Sequence, residues 1–162
     1  MRARGPRLSL QGARIVTAPA DAVDELVDAA DHAFDQQHFR VRRRPDVAGV
    51  RALYRRGSTA EDLTLFASGI ETLVHRIGPF SALGVIVLWI DDAPDDAGRV
   101  RAVLSMIRGY DLRREFTTAA ASLIADLADR GMAIQDLGWQ HAVLLADDCP
   151  ANPRTARRIG LR

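Results

Sequence analysis

The residues of this chain best suited to chemistry are its acids, its four histidines, its single cysteine and a dense set of arginines. Asp91-Asp92 and Asp95-Asp96 stand in the run DDAPDDAG, just after a strongly apolar segment. Clustered carboxylates suit hard cations, but the run lacks the alternating ligand spacing of an EF-hand loop. It reads more simply as a turn followed by a helix cap, with Asp91 and Asp92 kept as candidate ligand contacts. Asp28, Asp31, His32 and Asp35 fall on one side of an amphipathic run. That spacing is half a metal site, and equally an ordinary solvated acidic face. His32, His38, His75 and His141 occupy none of the HExxH, HxH or zinc-finger spacings. His141 follows Trp139 toward the end of an expected strand, so the two are further candidate ligand contacts. Cys149 precedes Pro150 in an Arg-rich terminal stretch and lacks the neighbouring base and organised site that a nucleophile needs. No catalytic residue, no metal ligand set and no cofactor is assigned.

The arginines are the strongest feature. Arg40, Arg42, Arg43, Arg44, Arg51, Arg55 and Arg56 crowd into the stretch HFRVRRRPDVAGVRALYRRG. Both termini add more, including Arg2, Arg4, Arg7, Arg154, Arg157, Arg158 and Arg162. Guanidinium groups grip phosphates and carboxylates through charge-assisted, bidentate hydrogen bonds. These seven are therefore candidate contacts to a partner protein or to nucleic acid. Three observations weigh against nucleic acid: the formal net charge is only +1, the run over residues 20–37 is strongly acidic, so that the arginines can simply pair with it within one chain or across an interface, and the stretch lacks the stacking aromatics of an RNA-recognition sheet. Every basic residue is Arg and none is Lys, a usage that suggests a GC-rich coding sequence. The missing Lys excludes a P-loop lysine, a Schiff base with pyridoxal phosphate, and lipoyl or biotinyl attachment.

The elements that must carry these residues follow from periodicity. Ala13–Thr17 is a short β-prone run. Val23, Leu26, Val27, Ala30 and Phe34 repeat at helical spacing over residues 20–37. His38–Arg43 and Val50–Arg56 flank a Pro-Asp-x-x-Gly turn and predict a hairpin with one apolar and one Arg-rich face. Ser58-Thr59-Ala60-Glu61 is a capping box for a helix that Gly78-Pro79 would stop. Leu83–Ile90 is apolar at successive positions, as in a strand covered on both faces. Val100, Val103, Leu104 and Ile107 favour a helix, with a strand over 99–108 as the alternative. A helix is expected over Asp111–Arg130, with Gly131 as its stop, and one or two strands within Met132–Ile134 and Trp139–Ala146.

These elements imply an α+β fold. The order β-α-β-β-α-β over residues 13–91 resembles the ferredoxin-like arrangement, followed by an α-rich C-terminal extension. That resemblance implies that Leu83–Ile90 is an edge strand, which Trp139–Ala146 would then cover. Residues 1–12 are expected to form a flexible basic arm, 13–146 one α+β domain, and 147–162 a basic C-terminal tail with little core content. One cysteine, no apolar leader and no apolar run of about 20 residues point to a cytoplasmic protein without membrane insertion.

Three functions fit. The first is a small non-catalytic binding or regulatory module that engages a partner protein or small ligand as an oligomer. The second is a nucleic-acid-binding accessory protein that uses the Arg-rich hairpin. The third is a small enzyme whose site matches no known motif.

Overall fold

A computed structural model of the chain describes residues 12–57 and 83–161. The expected arm and the helix begun by the Ser58–Glu61 capping box lie outside these residues, apart from Gly12. In chain order the elements are β1 (Gly12–Pro19), α1 (Val23–Asp35), β2 (Arg40–Arg42), β3 (Val50–Arg56), β4 (Gly84–Asp92), β5 (Arg99–Arg108), α2 (Arg113–Asp129), β6 (Gln135–His141) and α3 (Pro153–Arg158). Among the described residues this is an α+β fold with one six-stranded antiparallel sheet, ordered β2-β3-β4-β5-β1-β6.

The strand order is not ferredoxin-like. β1 lies between β5 and β6 rather than beside β3 and β4. The reason is the segment 99–108, for which the spacing favours a helix over the alternative strand, and which is strand β5. DDAPDDAG is the end of β4 and the loop of a β4–β5 hairpin, closed by the Ala93 amide to the Arg99 carbonyl at 3.0 Å and the Arg99 amide to the Asp96 carbonyl at 3.2 Å. β5 thus takes the position beside β4, and β1 pairs with its far edge. Leu83–Ile90 consequently supplies an interior strand, not an edge. The last strand, β6, pairs with β1 and does not cover β4.

The interior of the sheet is buried on both faces. Successive residues of β4 alternate between two apolar clusters: Ile86, Leu88 and Ile90 enter one, Val85 and Val87 the other. This explains why its sequence shows no polar alternation. On the first face lie α1, through Leu26, Ala29, Ala30, Ala33 and Phe34, and α2, through Phe116, Ala119, Ala120, Leu123 and Leu127. Phe34 stacks on Tyr54 with ring centroids 4.2 Å apart and meets Phe39 edge-on at 5.7 Å.

On the second face, Ile15, Val87, Val103 and Ile107 belong to the same cluster as Ala142, Leu145, Cys149, Ala151, Ala156 and Leu161. The expectation of little core content in 147–162 therefore fails. The segment contributes mainly small residues, and Asn152 organises it. The buried Asn152 amide donates to the Leu145 carbonyl at 2.8 Å, while its Oδ1 accepts the Arg154 amide at 3.0 Å and caps α3, which begins with Pro153.

The three α-helices among the described residues end in the same way. Phe39, Met132 and Leu161 donate backbone N–H groups to Phe34, Leu127 and Ala156, five residues back. His38, Gly131 and Gly160 precede them with positive φ. This is the Schellman motif, in which an apolar residue just past the helix also packs back on it. It explains His38 structurally: the residue turns the chain so that Phe39 enters the core and β2 can begin.

Candidate functional site

The β2–β3 hairpin divides six of its seven arginines into two sets. One set holds the fold. Arg43 turns back onto α1, where it pairs with both carboxylate oxygens of Asp31 and also donates to the Arg51 carbonyl at 3.2 Å. The Tyr54 hydroxyl donates to the same carboxylate at 2.9 Å. The Asp31 hydrogen bond raises the Arg43 pKa above its ordinary value. Burial, and then the Asp31 charge, push the Tyr54 phenol far above its ordinary value. Arg44 crosses the turn to Asp46 at 2.7 Å. Arg56 donates to the Gln37 carbonyl at 3.2 Å and lies 3.8 Å from Glu115 on α2.

The other set gathers on one side of the sheet. In the register, Arg40 stands opposite Arg55, Val41 opposite Tyr54, and Arg42 opposite Leu53. Directly opposed residues of an antiparallel pair point the same way. Arg40, Arg42 and Arg55 therefore share the side of Leu53, which belongs to the second apolar cluster, and Val41 shares the side of Tyr54, which belongs to the first. The expected apolar and Arg-rich sides are thus present, although Val41 remains 45% exposed. Arg40 and Arg42 are exposed and Arg55 is half-buried. Among the described residues, no carboxylate makes an ion pair with these three. Burial lowers the Arg55 pKa, and the nearby charges of Arg42 and Arg108 lower it further. Arg51, also exposed, stands apart at the β3 bulge between Val50 and Ala52.

The other candidates do not converge. Asp91 pairs with Arg101, its cross-strand neighbour on β5, at 2.6 Å, and Arg101 lies 5.5 Å from the centroid of Trp89. Asp92 is exposed at the end of β4. Trp139 lies on β6, edge-on to Phe116 at 5.3 Å and beneath Arg14 at 5.1 Å, and Arg14 in turn pairs with Asp136. His141 is the last residue of that strand. β5 and β1 intervene between β4 and β6, so about 14 Å of sheet separates Asp91 and Asp92 from Trp139 and His141.

The acidic face of α1 is likewise divided. Asp31 serves Arg43 and Tyr54, and the His32 Nε2 lies 2.9 Å from the Gln36 amide nitrogen. No group of three or more His, Cys, Asp or Glu side chains among the described residues is arranged to hold a metal ion. Cys149 is buried in the second cluster, and burial pushes its thiol pKa up, away from nucleophilic character. No helix among the described residues is long and apolar enough to cross a membrane.

Pairing of the hairpin arginines with the acidic helix is a reading the sequence offers, and Arg43–Asp31 is such a pair, but the particular Asp31–Tyr54–Arg43 cluster is not legible there. Tyr54 and Arg43 were assigned to the hairpin and Asp31 to α1, and no local spacing signals a contact between residues 23 positions apart. Compared with known proteins, the chain matches no family model and no curated protein.

Proposed function

We propose that the protein is a non-catalytic binding module whose contact surface is the Arg40–Arg42–Arg55 corner of the sheet and whose partner is anionic. The observation that carries this reading is Arg40 standing directly opposite Arg55. Like charges opposed across strands destabilise a hairpin, and an anion seated between them relieves that repulsion. Four chemically able groups among the described residues support the same reading, because the fold employs them. Asp31 anchors the hairpin to α1, Asp91 neutralises Arg101, Asp136 holds Arg14, and Cys149 is packed in the core.

The test uses the full chain and polyglutamate as probe, with binding followed over a salt series. Affinity should fall as salt rises, because exposed charges are screened. The variant Arg40→Ala/Arg42→Ala/Arg55→Ala should lose most of the affinity. Arg44→Ala, which disturbs only the Arg44–Asp46 turn pair, should keep it. No binding at low salt, or unchanged binding by the triple variant, overturns the proposal.

A further inference from the structure

The two edges of the sheet differ in a way that specifies the partner. β6 forms one edge. Its ladder to β1 is broken: Ile15 faces Gly138 and Val16 faces Asp136, which leaves Leu137 without an opposite residue. Gly138 has φ of 84°, and its amide is taken by the Asp136 side chain at 2.9 Å. A bulge of this kind bends an edge and blocks further pairing. β2 forms the other edge, and its three-residue pairing with β3 runs without a shift. All three of its residues are exposed, and among the described residues no strand pairs with its outer side.

We infer that the β2 edge takes an extended acidic segment of a partner protein as an added strand, with acidic residues opposite Arg40 and Arg42 and an apolar residue opposite Val41. This rests on the proposed function, since it assigns a geometry to the same Arg corner. The side-chain pattern of β2 is charge–apolar–charge, with the two arginines on one side and Val41 on the other. A strand laid beside it meets those side chains with a period of two. Its complement is therefore acid–apolar–acid. Backbone hydrogen bonds to the edge supply affinity, and alternate side chains supply specificity. Opposite-charge pairs across strands are favourable, and the added acids also offset the Arg40–Arg55 repulsion.

Single-stranded nucleic acid fits this corner less well. It is held by aromatic platforms as well as charge, whereas the aromatics next to the hairpin arginines, Phe39 and Tyr54, are fully buried.

The experiment uses the full chain and five probes: a short peptide alternating glutamate and valine, a block-ordered peptide of the same composition, the alternating peptide N-methylated at every second residue, an alternating lysine–valine peptide, and polyuridylate. Fluorescence anisotropy reads affinity, and amide chemical shifts of residues 40–42 read position. The alternating peptide should bind about tenfold more tightly than the block peptide, and N-methylation should cost about tenfold by removing backbone donors. The amides of residues 40–42 should shift on binding. Arg40→Glu/Arg42→Glu should lose the acidic peptide and gain an alternating lysine–valine peptide. The N-methylated probe keeps the test decisive even if that variant folds poorly, because it leaves the protein unchanged.

Equal binding of the alternating and block peptides, or binding indifferent to N-methylation, overturns strand addition and leaves anion binding standing. Tighter binding of polyuridylate overturns the protein partner. Failure of every polyanion to bind at low salt removes the proposed function as well.

Discussion

The Tyr54 hydroxyl donates a hydrogen bond to Asp31 Oδ1 at 2.9 Å, so a residue in the middle of β3 is tied to the outer turn of α1. Arg43 closes the same cluster from the end of β2. Three chain segments thus meet at one carboxylate, and the phenol ring beneath it stacks on Phe34 in the core.

Removing that hydroxyl has two consequences. Tyr54→Phe should cost about 1 kcal/mol, the typical net value of one hydrogen bond, measured by urea unfolding near neutral pH. It should also change the alkaline limb of stability. The folded-state pKa of Tyr54 is raised above its ordinary 10.0, first by burial and then by Asp31. A raised folded pKa contributes stability that is fully present below about pH 10 and is lost as pH rises beyond the unfolded value. Stability of the natural chain should therefore decline above about pH 10, and the Phe variant should decline less. Equal alkaline decline in both would show that other groups dominate there.

Arg55 should trade stability for binding. Arg55→Ala removes the like-charge opposition to Arg40, so at low salt it should stabilise the fold by about a few tenths of a kcal/mol. The gain should shrink as salt screens the pair. The same variant should bind polyglutamate more weakly. Chemical unfolding at two salt concentrations, set beside the binding isotherm, checks both halves.

The C-terminal segment should behave as core. Asn152→Ala removes a cap and leaves the Leu145 carbonyl without its donor, at a cost of about 1–2 kcal/mol. Deleting residues 147–162 removes Cys149, Ala151, Ala156 and Leu161 from the second apolar cluster, so the truncated chain should aggregate. Thermal unfolding and light scattering provide the readouts. A truncated chain that stays monomeric and unfolds at the original temperature would refute this role.

Two glycines with similar backbone angles should respond differently to alanine. Gly98 in the β4–β5 loop has φ of 87° and open space where a Cβ would sit. Gly109 has φ of 96°, and a Cβ there would come within 2.5 Å of the Gly84 Cα. Gly98→Ala should cost about 1 kcal/mol, the left-handed penalty alone. Gly109→Ala should cost about 3 kcal/mol, because backbone overpacking adds to that penalty. Parallel urea titrations of the two variants separate the terms.

The pattern of these residues explains which parts of the fold were legible in sequence. α1 and α2 were legible because each has one apolar stripe, and the hairpin because Pro45 and Gly49 punctuate two β-prone runs. β5 was not, because a strand buried on both faces loses its alternation. Val100, Val103, Leu104 and Ile107 are then compatible with a helix as well as a strand. The strand order was out of reach for a different reason: it depends on which distant edges meet, and β1 meets residues 99–105 and 135–141. The C-terminal segment was misjudged because its buried residues are mostly small. The pair Asn152-Pro153, a capping residue followed by proline at the first helical position, was the available signal for α3. Of the candidate site, the Arg-rich hairpin was visible, but the division between arginines that hold the fold and those without an ion pair among the described residues was not, since it depends on Asp31 and Glu115.

The interior position of β1, between β5 and β6, also sets a schedule for the chain. It is the first strand of the described fold to leave the ribosome, and its partners β5 and β6 follow much later. At about 5–20 residues per second, its second neighbour emerges on the order of ten seconds afterwards. Until β5 emerges, the Ile15–Val16 stretch is an unpaired apolar strand with neither of its ladders available. Synthesis rate, and any chaperone that holds such segments, therefore bears on the yield of folded protein through β1 more than through any other strand.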